Sequence, residues 1–233
     1  MNIAGTVEIL PDAAALAGRA AALVADEIQG GRRPFRLALA GGSTPERAYR
    51  QLAARNDIEW DCVEIFFGDE RFVPPDSSDS NYRMARETLL AKINPRKLLP
   101  IPTDESPESA AARYDETLRQ QYGASRLDPA APLFDLVLLG LGADGHTASL
   151  LPGQPVLQER ARWAAAVPQG RDEPRITLTY PALESSRLIL FLVAGADKHE
   201  AVTKARAGEL PAGHLKPQGR VIWLLDREAA GHS

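Results

Sequence analysis

The segment FDLVLLGLGADG, residues 134–145, joins a mostly apolar run directly to a glycine-rich turn. The run from Phe134 to Leu139 has the length of a strand and is too short for an ordinary helix. Because it lacks polar–apolar alternation, both faces of this strand should be buried, as in a parallel sheet covered by helices. The segment therefore predicts a buried strand whose carboxyl end opens into a loop.

The same strand–turn–helix pattern occurs twice towards the amino terminus, at 35–54 and at 63–91, with glycine at each turn. Further helices are predicted at 12–30, 107–122 and 198–207, and further strands at 176–179, 188–193 and 221–225. Apolar strands that alternate with helices indicate an α/β fold, a parallel sheet with helices on both faces. No repeat or linker divides the chain, so a single domain of residues 1–233 is expected.

Composition excludes several classes of protein. The 27 Lys and Arg residues against 31 Asp and Glu give a net charge of −4, which offers no field for binding nucleic acid. One cysteine, Cys62, and four histidines exclude an internal disulfide and a Cys-rich zinc site. The longest apolar run, 188–196, is far shorter than the roughly 20 residues that cross a bilayer. A cytoplasmic protein without a membrane segment, and with no obligate protein partner implied, is expected.

In open α/β sheets, ligands bind beyond the carboxyl ends of the strands, so the loops at 41–45, 68–80, 140–149 and 195–198 are the candidate site. The first of these loops, Gly41-Gly42-Ser43-Thr44-Pro45, lacks the lysine of a nucleotide-binding P-loop. Two interpretations remain equally open for it: a small anion cradle at a helix amino terminus, or a plain turn with a capping hydroxyl. Two single cations at strand ends, Arg175 and Lys198, could join Ser43 and Thr44 around one phosphate.

The loop at 140–145 formally matches G-x-G-x-x-G, but it lies past mid-chain and Pro152-Gly153 interrupts the downstream segment. A dinucleotide site is therefore rejected.

The polar residues in and directly after this loop are more informative. A neutral imidazole such as His146 can take a proton from water, and a nearby carboxylate can hold its tautomer. Candidate carboxylates are Asp144 in the same loop and Asp69 or Glu70 in another. The latter pair belongs to Gly68-Asp-Glu-Arg71, for which a surface ion-pair cluster is the alternative interpretation.

Six segments together resemble the 6-phosphogluconolactonase family, hydrolases of the pentose phosphate pathway. The segments are LALAGGSTP (37–45), FFGDERFVPPDSSDSNY (66–82), LLGLGADGHTASLLPG (138–153), RITLTYPAL (175–183), VAGADKHEAV (193–202) and VIWLLD (221–226). The resemblance implies a single-domain, modified Rossmann-like parallel sheet, similar to glucosamine-6-phosphate deaminase and ribose-5-phosphate isomerase. It implies neither a cofactor nor a metal. One departure is PAGHL at 211–215, where the family pattern is P-A-S-x-L.

The resemblance also implies roles for individual residues. The substrate would be a small sugar-phosphate lactone, and His146 would be the general base that activates water. Arg71 would contact substrate oxygens. Asp144 and Asp69 are taken as catalytic candidates beside His146, and whether Asp69, Glu70 or Asp144 orients the imidazole stays open. The phosphate site would be formed by the Gly41 loop and two cations, namely Gly42, Ser43, Thr44, Arg175 and Lys198.

Two alternatives to lactone hydrolysis remain. A glucosamine-6-phosphate isomerase/deaminase would share the fold and the phosphate cradle, but it would carry an acidic residue just after the histidine. Residues 147–152, TASLLP, contain no carboxylate. The other alternative is a non-catalytic sugar-phosphate sensor, against which the presence of His146, Asp144 and Arg71 argues.

Overall fold

Seven parallel strands form the main sheet of the computed structural model, which describes residues 5–232. Their spatial order is β1 (Thr6–Leu10), β10 (Arg220–Asp226), β9 (Ser186–Val193), β6 (Phe134–Leu139), β2 (Phe35–Leu39), β3 (Val63–Phe67) and β5 (Lys97–Leu98). Every residue of β3 and β6 is buried, and since successive side chains point to opposite faces, both faces of the central sheet are covered. The predicted α/β fold with a covered parallel sheet is confirmed.

A second, antiparallel sheet has the order β4 (Asp69–Arg71), β8 (Arg175–Leu178) and β7 (Ala164–Val167). Two expectations are therefore wrong. The residues after Gly68 form a short strand before the loop begins, and the strand predicted at 176–179 lies outside the parallel sheet. The reason is pairing across the chain: Arg71 lies opposite Arg175, and the Leu178 N–H donates to the Gly68 carbonyl at 2.8 Å.

In the described part of the chain, six α-helices accompany the sheets: α1 (Ala13–Gly30), α2 (Ser43–Ala53), α3 (Asn81–Thr88), α4 (Pro107–Tyr122), α5 (Tyr180–Glu184) and α6 (His199–Arg206). Local signals set their ends. The Asp12 side chain accepts hydrogen bonds from two amides of the first turn of α1, and Gly123 ends α4 in the left-handed conformation. None of the helices within residues 5–232 is long and apolar enough to cross a bilayer.

Two buried tyrosines hold the ends of neighbouring strands where the sheet opens. The Tyr49 hydroxyl donates to the Ala40 carbonyl at 2.7 Å and accepts from the Ala40 N–H at 2.8 Å. Tyr114 bonds both backbone groups of Phe67 in the same way, at 2.9 and 3.0 Å. Burial raises the pKa of both phenols, so they stay neutral hydroxyls that can donate and accept. They replace the ladder partners that β2 and β3 lack at these positions.

We expect Tyr49→Phe to lower the free energy of unfolding by about 1–3 kcal/mol, because it leaves two buried backbone groups without a partner. Urea unfolding followed by circular dichroism measures the loss. Tyr122→Phe is the matched control, since the Tyr122 hydroxyl also bonds two backbone groups, the Ala131 carbonyl and the Asp128 N–H, but where water can replace it. Equal stability of Tyr49→Phe and the native protein would contradict this interpretation.

Candidate active site

A cavity of about 230 Å³ lies at the carboxyl ends of β2, β3, β6 and β9. All four predicted loops contribute to its wall. The cavity lining includes these candidate residues: Gly41, Gly42, Ser43, Thr44, Asp69, Arg71, His146, Arg175 and Lys198. The candidate acids Asp144 and Glu70 do not line the cavity, and Asp144 contacts His146. The topology thus brings together residues that are spread over most of the chain.

His146 and Asp144 form a hydrogen-bonded dyad. His146 Nδ1 lies 2.5 Å from Asp144 Oδ1, and the His146 backbone N–H also donates to this oxygen at 3.3 Å. With the proton on Nδ1 donated to a carboxylate, the lone pair is on Nε2. Burial alone would raise the pKa of Asp144, but the hydrogen bond and charge of His146, with the charge of Arg171, lower it overall. Asp144 is therefore a carboxylate at neutral pH.

Glycines shape the loop that carries this dyad. A Cβ on Gly142 would lie 2.0 Å from His146 Nδ1 and 2.6 Å from Asp144 Oδ1, so only glycine leaves room for the pair. Gly145 has φ +78°, in the region that favours glycine. Gly142 of the G-x-G-x-x-G pattern thus serves close packing around a histidine, Gly145 provides a turn, and the loop opens no long helix.

The divergent PAGHL segment supports the same loop. Residues Pro211–His214 form a short 3₁₀ turn, and the Ala212 N–H donates to the Gly145 carbonyl at 3.0 Å. A Cβ on Gly213 would lie 2.0 Å from the Ala205 carbonyl oxygen, at the end of α6. Glycine at position 213, which departs from the family pattern, therefore allows a close contact with the backbone of α6.

The two other candidate acids do not contact His146. Glu70 is a buried cap for the loop and for α3: its carboxylate accepts from the backbone N–H groups of Arg71, Asn81 and Tyr82 and from the Ser80 hydroxyl. Burial raises the pKa of Glu70, although those backbone N–H groups oppose the shift. Both of its oxygens are occupied, which gives Glu70 a structural role.

Asp69 lies in the cavity wall, held by two side chains. Ser149 Oγ donates to Asp69 Oδ2 at 2.6 Å, and Asn81 Nδ2 donates to the Asp69 carbonyl at 3.0 Å and to Oδ1 at 3.3 Å. Asn81 in turn packs so closely on Gly41 that a Cβ there would lie 2.0 Å from Asn81 Oδ1. This network fixes a carboxylate beside the predicted anion cradle.

The amino terminus of α2 faces the cavity. Gly42 precedes the helix with φ +100°, and no side chain caps the first turn. The free N–H groups at Ser43 and Thr44, together with the helix dipole, therefore favour an anion in the cavity. Of the two interpretations of GGSTP, the geometry supports the anion cradle.

Three cations approach the cradle. Arg71 and Arg175 lie opposite each other on β4 and β8; Arg71 donates to the Asp79 carbonyl at 2.5 Å and Arg175 to Glu173 at 3.0 Å. Nε of buried Arg175 has no hydrogen-bond partner among residues 5–232. Lys198 follows Gly195, whose N–H donates to the buried Asp226 carboxylate at 3.0 and 3.1 Å. An anion bound here would satisfy donors that the protein leaves open.

Sequence reasoning missed three residues with a part in this arrangement. Asn81 lies in the segment 66–82, but the sequence does not indicate which residue its side chain contacts. Asp226 ends the last strand, and the sequence does not show that its carboxylate holds the Gly195 turn. Arg171 lies in a loop without any recognisable pattern, yet its Nη2 donates to Asp144 Oδ2 at 2.7 Å. Each acts through a contact with residues distant in the sequence.

Comparison with known proteins places this chain in a class of sugar-phosphate enzymes. The sequence model of the family "Glucosamine-6-phosphate isomerases/6-phosphogluconolactonase" matches residues 11–223. The chain belongs to this family. It is 39% identical over 237 residues to the 6-phosphogluconolactonase of a Nostoc species, covering 96% of each chain.

Solved structures agree with the family assignment. The 6-phosphogluconolactonase from Trypanosoma cruzi has a TM-score of 0.87 at 29% identity, covering 99% of this chain and 97% of the other. A monomeric glucosamine-6-phosphate deaminase has a TM-score of 0.80 at 25% identity, covering 97% of this chain and 99% of the other. The predicted likeness to the deaminase fold is confirmed.

We expect His146→Ala to raise the pKa of Asp144, because the substitution removes the hydrogen bond and the charge that lower it while the carboxyl remains partly buried. Carboxyl-detected NMR titration of Asp144 measures the change. His214→Ala, at an exposed position of the 3₁₀ turn, is the control. An unchanged Asp144 titration in His146→Ala would mean that the dyad does not form in solution.

Proposed function

We propose that this protein hydrolyses 6-phospho-D-glucono-1,5-lactone to 6-phospho-D-gluconate, a step of the oxidative pentose phosphate pathway. One observation carries the proposal: His146, the imidazole of the dyad, and the amino terminus of α2 line the same cavity of about 230 Å³. A base and an anion site on one small cavity suit a phosphorylated substrate that is attacked by water. The named relatives in the family support the lactone as that substrate.

Water activation is assigned to His146. Nε2 takes a proton as the water oxygen attacks the C1 carbonyl of the lactone, and Asp144 stabilises the imidazolium that forms. The protonated imidazole can then return this proton to the ring oxygen as the C1–O bond breaks. One histidine thus accepts the proton and returns it. Because water attacks C1 directly, the proposed step needs no covalent enzyme intermediate.

The other charged groups at the cavity would bind two different parts of the substrate. Arg71 and nearby loop N–H groups are placed to stabilise the oxyanion that develops on C1. Arg175, Lys198 and the amides of Ser43 and Thr44 would bind the remote phosphate, which orients the lactone towards His146. Asp69 is available to accept a hydrogen bond from a sugar hydroxyl.

The test is lactone loss at about pH 7, where a neutral histidine can act as a base. The substrate is generated in situ from glucose 6-phosphate, and spontaneous hydrolysis is subtracted. We expect His146→Ala to lower kcat by about a hundredfold to ten-thousandfold with a small change in KM, because it removes general-base catalysis. Folded native protein that gives only the spontaneous rate would refute the function, and ammonia release from glucosamine 6-phosphate would then test the deaminase alternative.

Lys198→Ala should mainly weaken substrate binding. A charge-assisted hydrogen bond to phosphate contributes about 1.5–3 kcal/mol, which corresponds to about a ten- to 150-fold loss in kcat/KM. Steady-state kinetics with the same lactone measures the loss. The control is Lys204→Ala on α6, since this exposed lysine pairs with Glu200 and does not line the cavity. Unchanged kcat/KM in Lys198→Ala would show that the phosphate is bound elsewhere.

A further inference from the structure

Arg171 contacts the dyad from outside the cavity. It lies in the loop 168–174, which connects β7 to β8 in the antiparallel sheet. Its Nη2 is 2.7 Å from Asp144 Oδ2 and 3.3 Å from His146 Nδ1. Asp144 therefore bridges two groups, one on each carboxylate oxygen: His146 on Oδ1 and Arg171 on Oδ2.

We propose that Arg171 is a positioning residue for lactone hydrolysis, holding the Asp144 carboxylate in the orientation that keeps His146 Nε2 available to water. The inference rests on the proposed function and adds a residue to its machinery. Arg171 does not line the cavity, so it acts through Asp144 and makes no contact with the substrate.

The exposure of Asp144 explains why a second partner matters. Its side chain is 39% exposed, and water can compete for either oxygen. A carboxylate with a partner on one oxygen only can rotate away from the imidazole. The guanidinium on Oδ2 restricts this rotation, and the Nδ1–H···Oδ1 bond then fixes the ring of His146.

Charge gives Arg171 a second effect. Its guanidinium lies 2.7 Å from Asp144 Oδ2, and its charge is one of the causes that lower the pKa of the Asp144 carboxyl. Four other charged side chains line the cavity that His146 faces, namely Asp69, Arg71, Arg175 and Lys198. These four are untouched by a change at position 171. Removing Arg171 should therefore raise the pKa of Asp144.

The hairpin that carries Arg171 is anchored by hydrogen bonds next to the start of β8. The Phe72 N–H donates to the Pro174 carbonyl at 2.8 Å, and Arg175 donates to Glu173. A Cβ on Gly170 would lie 2.5 Å from the Glu173 carbonyl oxygen, so glycine lets the loop fold back on itself. One hairpin thus brings Arg171 to the dyad and Arg175 to the anion cradle.

The test compares Arg171→Ala, Arg171→Lys, Asp144→Asn and the double variant Arg171→Ala/Asp144→Asn by kcat and KM, and the variants that keep Asp144 also by NMR titration of this carboxyl. We expect Arg171→Ala to lower kcat about two- to fivefold, the size of one half-exposed ionic contact, with KM unchanged and the pKa of Asp144 raised. Arg171→Lys keeps the charge and should keep the native pKa of Asp144. In the Asp144→Asn background, Arg171→Ala should have no further effect on kcat.

Several results would overturn the inference: a native kcat in Arg171→Ala, the same loss in the Asp144→Asn background, or a change confined to KM. Arg220→Ala is the control, because Arg220 pairs with Glu27 at the amino end of β10, away from the cavity. A readout independent of activity is the NMR titration of Asp144, whose pKa should rise in Arg171→Ala. Native protein without lactonase activity would refute the proposed function, while this titration would still test the contact of Arg171 with Asp144.

Discussion

The parallel sheet opens at its carboxyl edge, and the backbone groups exposed there must find partners that the ladder no longer supplies. Tyr49 and Tyr114 satisfy the groups of Ala40 and Phe67 from inside the protein. The first amides of α2, in contrast, have no side-chain cap and face the cavity. Buried hydroxyls thus close the strand ends, while the amino terminus of α2 stays open. This difference is the reason for proposing an anion site at α2.

The antiparallel sheet gives the open edge its charge. β4 continues from the end of β3 after one glycine, and β8 pairs with it so that Arg71 and Arg175 lie side by side. Two guanidinium groups on paired residues repel each other, and an anion between or near them offsets this repulsion. Their anchors, the Asp79 carbonyl and Glu173, hold them at the cavity without neutralising both charges. The arrangement is therefore suited to a phosphate or to a developing oxyanion.

Local signals made the fold predictable, and the lack of such signals explains what was missed. The strand 134–139 and the helix 107–122 have the predicted bounds. Glycine follows the apolar run of the strand, and Ser106 and Gly123 cap the two ends of the helix, so local residues mark where each element begins or ends. The pairing of Asp69–Arg71 with Arg175–Thr177 joins segments about a hundred residues apart, and a polar strand of three residues has no periodicity. The contact between Arg171 and Asp144 is likewise set by tertiary structure alone.

Ser149 is unsuited to be the nucleophile in the proposed hydrolysis. Its side chain is fully buried, and its hydroxyl donates to Asp69 at 2.6 Å, so it is engaged with a carboxylate and not with the imidazole. A nucleophilic serine needs the base within hydrogen-bond reach and an exposed oxygen. His146 lines the cavity, whereas Ser149 lies behind the lining and orients Asp69 in the wall. This arrangement supports the proposal that His146 activates a water molecule that enters from solvent.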